Sequence, residues 1–324
     1  MLSIPEYHTA FTEELSRILP EQEPVNLYEP VSYILNLGGK RLRPILTLMT
    51  ADIFGGNYRE AMNAALAVEV FHNFSLVHDD IMDDAPLRRG KKTVHEKWDL
   101  NTGILSGDVM LILAYRYFEA YEPSVFRSLA KLFSKTAIEV CEGQQYDVDF
   151  EEREDVQINE YLKMITCKTA VLVAAAMKMG AIIAKAKEED ANGIYEFGLN
   201  LGIAFQLQDD YLDAFGDPER FGKQVGGDII ENKKTFLYLK ARELSSKQDA
   251  KQLQYLFTIQ PTDASEKIKT VQTIFEESGA AEVTRKEIEN YTQKAFKILA
   301  ELNINEEGKK ILSNFGNALM DRKF

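Results

Sequence analysis

The sequence predicts an all-α protein, one large helical domain over residues 1–324. Three observations carry that prediction. Apolar residues recur at helical spacing along nearly the whole chain. No strand-like alternation persists for more than a few residues. Glycine and proline supply only 19 and 9 of the 324 residues, and such sparse punctuation favours long helices over many short strands. No linker or low-complexity segment divides the chain, so one large domain is expected rather than two small ones.

Taken in order, an amphipathic helix is predicted over 5–19, followed by a proline-punctuated turn or loop, PEQEPVNLYEP, over 20–30. A second helix leads to Gly38-Gly39, and Pro44 opens a third, since proline is tolerated in a first helical turn. From Arg59 to Asp84 the pattern is one long helix ended by Ala85-Pro86. Residues 88–92, RRGKK, read as a basic loop. Further helices are predicted at 105–120, 124–148, 158–184, 188–215, 230–243, 264–278, 281–301 and 306–320.

Composition narrows the function. The formal charge is −13, and an acidic surface argues against nucleic acid or an anionic membrane as the main partner. With 45% apolar and 27% charged residues the chain is not of the disordered class. Two cysteines, Cys141 and Cys167, are too few for a disulfide framework or a tetrahedral zinc site, so a reducing cytoplasm is expected. The first residues, MLSIPEYHTAFTEELSRIL, lack the pattern of a signal peptide. The longest apolar run, AVLVAAAM at 170–177, is broken by Lys178 and reads as a buried helix, so no stable membrane insertion is expected.

The sharpest local feature is Asp79-Asp80-Ile81-Met82-Asp83-Asp84. On a helix Asp79 and Asp83 lie about 40° apart, and the four carboxylates fall within about 140°. Like charges at i and i+4 repel by roughly 0.2–0.5 kcal/mol, and Pro86 puts them near the negative end of the helix dipole. The arrangement recurs in FQLQDDYLDAFGDP over 205–218, where Asp209, Asp210 and Asp213 precede another helix stop at Gly216 and Pro218. A solvated acidic face would account for one cluster; two with matching stops and apolar flanks point to a shared cation site. Carboxylates without a nearby Cys or second His suit a hard ion such as Mg²⁺, which completes its shell with water and substrate phosphates. A di-iron bundle needs two Glu-x-x-His motifs, and only Glu69-Val70-Phe71-His72 supplies one.

Basic residues are concentrated beside these clusters. Gly38-Gly39-Lys40-Arg41-Leu42-Arg43-Pro44 carries three cations and no acid, and Arg88-Arg89-Gly90-Lys91-Lys92 follows the first cluster closely. Glycines permit close backbone approach, and arginine offers a planar fork for phosphate oxygens. Lys168 is a lone cation in an apolar segment, and Phe221-Gly222-Lys223 and Asn232-Lys233-Lys234-Thr235 follow the second cluster.

GGKRLRP, LVHDDIMDDAPLRRG and FQLQDDYLDAFGD, in that order, resemble the trans-isoprenyl diphosphate synthases, or polyprenyl synthetases, over essentially the whole chain. The resemblance implies the all-α isoprenoid synthase fold, a single helical bundle with its active-site cavity between helices, and commonly a homodimer. It implies condensation of isopentenyl diphosphate with an allylic diphosphate. Asp79, Asp83 and Asp209 match positions that bind a cluster of roughly three Mg²⁺ ions on the allylic diphosphate, with Asp80 and Asp210 beside them. Arg88, Lys168, Thr169, Gln206, Lys223 and Lys233 match positions around that diphosphate. Lys40, Arg43, His72 and Arg89 match the isopentenyl diphosphate site. One departure is Glu231-Asn232-Lys233, where the family usually has acid-Gly-Lys; asparagine tolerates a left-handed backbone better than most residues.

The resemblance also implies a tail-binding tunnel along the helix bearing Asp79, whose turns are about 5.4 Å apart. Phe71, Phe74 and Ser75 precede that aspartate. In the family two adjacent bulky aromatics go with C15 products. Bulky Phe74 beside small Ser75 resembles a C20 maker, with C15 close behind, while Phe71 and Phe74 also suit plain core positions. A class I terpene cyclase would carry an Asn/Asp-Asp-x-x-Ser/Thr-x-x-x-Glu second motif, and an idle subunit of a heteromeric synthase typically loses an aspartate motif. This chain has Asp-Asp-x-x-Asp twice.

Overall fold

Helices account for nearly all regular structure in the computed structural model, which describes residues 1–18, 22–216 and 225–320. The chain forms two compact units, Met1–Lys135 with Ala175–Tyr195, and Thr136–Ala174 with Glu196–Phe324.

In the first unit, α1 (Ile4–Ile18) packs on α3 (Leu42–Ile53), and α4 (Met62–Met82) packs on α3 and on α6 (Leu100–Arg116). Helix α4 is apolar on most sides, with Ala64 through Phe71 all buried, which marks it as the core helix of this unit. Helix α2 (Val25–Asn36) corrects the expected loop at 20–30: it starts at Val25 and contains Pro30. Burial of Pro30, Val31, Ile34 and Leu35 outweighs proline's preference against a helix interior.

Between α2 and α3, Gly38, Gly39 and Arg41 have φ of 78°, 125° and 48°. That left-handed turn is tied inward by Arg41, whose guanidinium donates to the Leu35 carbonyl and to the Glu69 carboxylate on α4. Helix α4 stops at Met82, so the expected helical arc does not reach Asp84, which takes φ 48°. The basic loop is a small hairpin, β1 (Leu87–Arg88) paired with β2 (Lys91–Lys92). Both its loop residues, Arg89 and Gly90, have positive φ, as a turn matched to strand twist requires. Tyr33 on α2 donates to the Lys92 carbonyl at 2.8 Å, and the short α5 (Val94–Lys97), absent from the expected elements, follows.

The second unit contains the later part of α7 (Pro123–Glu152), α8 (Ile158–Ile165), a π-turn over Thr166–Ala170, the first residues of α9 (Val171–Ile183), and most of α10 (Glu188–Phe215). It continues with α11 (Gly227–Ile230), α12 (Phe236–Leu244), α13 (Lys247–Leu256), α14 (Ser265–Glu277), α15 (Ala280–Glu301) and α16 (Glu306–Met320). Its core joins Tyr161 and Ile165 with Leu207 and Tyr211, and with Phe236, Phe275 and Ile288. Two expectations differ. The helix expected over 230–243 is two elements, because Asn232 at φ 60° breaks the backbone between them. Helix α13 lies outside the expected elements; its polar sequence, KQDAKQLQYL, buries only Leu253. Ile158–Ile183 is long and apolar enough to cross a membrane by composition, but 67% of its most apolar window is buried inside the protein.

Candidate active site

Gln206, Asp209, Asp210 and Asp213 lie at i, i+3, i+4 and i+7 on α10, so they share one face. That face lines a cavity of about 250 Å³ in the second unit. Asp147 of α7, Tyr161 of α8, Lys168 and Thr169 of the π-turn, Asp228 of α11, and Lys233 and Lys234 beyond it line the same cavity. With Glu151 of α7 also lining it, six carboxylates and three lysines surround one small space. Asp209, Asp210, Lys168, Thr169, Gln206 and Lys233, all singled out in the sequence, come together here. Lys223 lies outside the described residues.

The contacts are one connected chain and several separate pairs. Lys168 Nζ pairs with Asp147 at 2.5 Å. Thr169 Oγ1 donates to Gln206 Oε1 at 3.0 Å, and Gln206 Nε2 donates to Asp210 Oδ1 at 2.8 Å. The Tyr161 hydroxyl donates to the other oxygen of Asp210. Asp213 Oδ2 accepts the Asp228 backbone N–H at 2.9 Å, which anchors the start of α11. Lys233 pairs with Glu231 at 2.9 Å. Lys234 donates to the Phe150 and Glu151 carbonyls, capping the end of α7.

Burial raises the Asp210 carboxyl to about 7 against the two hydrogen bonds it accepts, and Asp209 and Asp213 push it further. Burial likewise raises Asp228 to about 8, with Asp210 and Asp213 adding to the effect. The cavity thus holds more negative charge than its lysines offset.

Sequence reasoning misses several of its groups. Asp147, Glu151 and Tyr161 sit in ordinary helical stretches, Asp228 lies between two expected helices, and Asp213 belongs to the motif without an expected role. The one available signal was the acid repeated at i+4 after Asp209.

In the first unit, Asp79 is half-buried and Asp83 exposed, while Asp80 is 1% exposed. Arg88 Nε reaches both Asp80 oxygens at 2.8 Å, and its Nη2 lies 3.8 Å from Asp79. Burial raises the Asp80 carboxyl, and Arg88 opposes that shift. Asp80 therefore orients Arg88, while Asp79 stays half-buried and Asp83 is exposed.

The basic turn is nearby in this unit. Arg89 donates to the Gly38 carbonyl, and its guanidinium lies where a Cβ on Gly39 would sit. Arg43 Nη1 lies 3.2 Å from His72 Nε2. Burial and the surrounding arginines hold His72 well below its usual range, so its ring is a neutral acceptor for Arg43. Lys40 is exposed on the same turn, whereas Arg41 is committed to Glu69. Phe74 packs against His78 and Phe71, and Phe71 packs against Phe133, each with ring centroids within 5.5 Å. The Ser75 hydroxyl donates to the His72 carbonyl.

The donor chemistry of both aspartate groups is hard carboxylate oxygen, which fits Mg²⁺ rather than a soft ion. Among the described residues no three such groups converge as a closed metal site would require. An ion held here has to complete its shell with water or ligand oxygens, as Mg²⁺ does.

Carboxylates for a hard ion, cations for anionic oxygens and an all-helical frame define a diphosphate-handling enzyme. The polyprenyl synthetase family profile matches residues 24–275, and the chain belongs to that family. It is a prenyltransferase. The chain is 36% identical over 340 residues to a geranylfarnesyl diphosphate synthase of Natronomonas pharaonis, covering 99% of this chain and 97% of the other. It is 42% identical over 237 residues to a geranylgeranyl diphosphate synthase of Methanosarcina mazei, covering 72% and 73% of the two chains. A crystal structure of a geranylgeranyl pyrophosphate synthase superposes with a TM-score of 0.96 over 100% of both chains at 58% identity. These relatives do not favour a cyclase or an idle subunit.

Proposed function

We propose that the protein condenses isopentenyl diphosphate with allylic diphosphates to an all-trans C20 prenyl diphosphate, C15 being the nearest alternative product, and releases pyrophosphate. The whole chain acts as one catalytic domain. The observation that carries this reading is the cavity that sets six carboxylates beside Lys168, Lys233 and Lys234. Such a set neutralises and positions a diphosphate as its allylic C–O bond breaks and the electron pair leaves on the pyrophosphate.

Asp79, Asp83 and Asp209 are the proposed Mg²⁺ ligands, and the ions supply electrostatic stabilisation of the leaving group. Lys168 exchanges Asp147 for a phosphate oxygen. Thr169 and Gln206 hold Asp210 and contact the allylic diphosphate, Arg88 is aimed by Asp80, and Lys233 and Lys223 complete the allylic diphosphate contacts. Lys40, Arg43 and Arg89, with His72 orienting Arg43, take isopentenyl diphosphate. Holding both substrates removes much of the entropic barrier. No protein nucleophile is required, and the released pyrophosphate takes the final proton.

The test is incubation of purified protein with isopentenyl diphosphate and each of the C5, C10 and C15 allylic diphosphates, with Mg²⁺ present or chelated. Mass spectrometry should find a Mg²⁺-dependent C20 or C15 diphosphate. A cyclic hydrocarbon with released pyrophosphate, or no turnover, rejects the reading. Phe74→Ala is expected to lengthen the product by at least one isoprene unit; an unchanged product distribution removes Phe74 as the tunnel floor.

A pH series checks the electrostatics of the cavity. Asp210 and Asp228 are raised in the folded state, so their contribution to stability is present at low pH and is lost as pH rises through about 7 and 8. His72 runs oppositely, because its folded value is depressed and its contribution disappears only on acidification. Above the ordinary histidine range near 6.5 and up to about pH 8 the two aspartates dominate. The Tm of ligand-free protein should fall across that window, and saturating Mg²⁺ with inorganic pyrophosphate should flatten the fall. A Tm that rises with pH there contradicts the assignment.

The exposed apolar side chains Leu100, Ile104, Leu105 and Ile112 on α6 support a homodimer, which light scattering would detect. Two free cysteines support a cytoplasmic setting.

A further inference from the structure

The π-turn at Thr166–Ala170 interrupts an otherwise helical run, with the Val171 N–H bonding five residues back to the Thr166 carbonyl. The extra residue rotates the following side chains by about 100° relative to a continuous α-helix. Lys168 and Thr169 leave this turn toward two different helices, Lys168 to Asp147 on α7 and Thr169 to Gln206 on α10.

Each of those helices carries a buried glycine one turn before its acceptor. Gly143 stands four residues before Asp147, and Gly202 four before Gln206. A Cβ on Gly143 would fall on the backbone N of Lys168, with the Cys167 carbonyl carbon and the Lys168 Cα at 2.7 Å. A Cβ on Gly202 would lie 2.9 Å from both Cα and Cβ of Ala170. Glycine inside a helix is unfavourable relative to alanine, so its presence at both contacts requires an offsetting gain. The close approach of the turn to both helices supplies it.

We infer that Gly143 and Gly202 are positioning residues, which seat the π-turn between α7 and α10 so that Lys168 and Thr169 meet the diphosphate from fixed directions. The functional part of this inference rests on the proposed contacts of Lys168 and Thr169 with the allylic diphosphate. The geometric part does not.

Gly143→Ala and Gly202→Ala test it, each by steady-state kinetics with both substrates and by a crystal structure. The KM for the allylic diphosphate should rise by roughly 10–10²-fold, while that for isopentenyl diphosphate stays within about twofold. The Lys168–Asp147 contact should be lost in Gly143→Ala. In a Lys168→Ala background, Gly143→Ala should cost less than about threefold, because both changes remove one interaction.

Intact contacts with wild-type kinetics overturn the inference, as does an equal rise in both KM values. If Lys168→Ala leaves the allylic KM unchanged while Gly143→Ala displaces the turn in the crystal, the diphosphate role of Lys168 fails and the seating role of the glycine stands. Should Gly143→Ala not fold, Gly202→Ala, which meets Ala170 rather than the main chain of Lys168, decides the matter by the same measurements.

Discussion

Asp209→Asn is expected to lower kcat by roughly 10³-fold, the scale of losing one preorganised electrostatic contact to a developing anion. Stability should move the other way. Asp209 shares its cavity with Asp147, Asp210, Asp213 and Asp228, and its charge is one of those that raise Asp210. Removing it relieves repulsion that the ligand-free protein carries, so Tm at pH 8 should be unchanged or higher. Activity and stability pull apart where a binding site is built from like charges. The measurements are kcat under saturating substrates, its Mg²⁺ dependence, and Tm without ligand. A kcat within tenfold of wild type would remove Asp209 from the metal site. A large fall in Tm would mean the loss of activity is structural.

Glu69→Ala should destabilise the fold by about 3–5 kcal/mol, because it leaves a buried guanidinium unpaired. The Arg41 and Glu69 side chains are 5% and 3% exposed. Glu69 also accepts from Asn73 at 2.9 Å, and the variant leaves that amide only the Glu69 main-chain carbonyl at 2.8 Å. The loss should spread to the turn that carries Lys40, since Arg41 ties that turn to α4. Denaturant unfolding reads the effect directly. The double variant Arg41→Met with Glu69→Leu should recover most of the loss, as apolar replacement of a buried pair often does. A single-variant loss below about 1 kcal/mol would show that water reaches Arg41 and refute the burial argument.

The sequence shows the helices whose apolar faces repeat, and it shows the aspartates, because four acids at one helix end violate local electrostatics and so require an explanation. It does not show α13, where KQDAKQLQYL buries one leucine and so carries little periodic signal. The helix at 25–36 is hidden by Pro24 and Pro30, whose local preference is overruled by burial of Val31, Ile34 and Leu35. Asp147 is hidden among exposed acids of α7, and only its pairing with Lys168, 21 residues further on, singles it out. Asp80 reads from the motif as standing beside the metal ligands, and only burial and Arg88 show its task. Local pattern marks charges that are out of place, whereas tertiary contact decides which of them face a ligand.

Asn232 illustrates how such contacts constrain change. It occupies the left-handed position where the family usually has glycine, and its side-chain oxygen accepts from Lys267 at 2.5 Å. Lys267 is 3% exposed, and its ammonium is otherwise held by backbone carbonyls, the nearer being Ile259 at 2.9 Å. Restoring glycine at 232 would relax the backbone and strip a buried cation of its side-chain acceptor in the same step. Positions 232 and 267 therefore behave as a linked pair, and a swap toward the common family residue at one is safe only when the other is replaced with it.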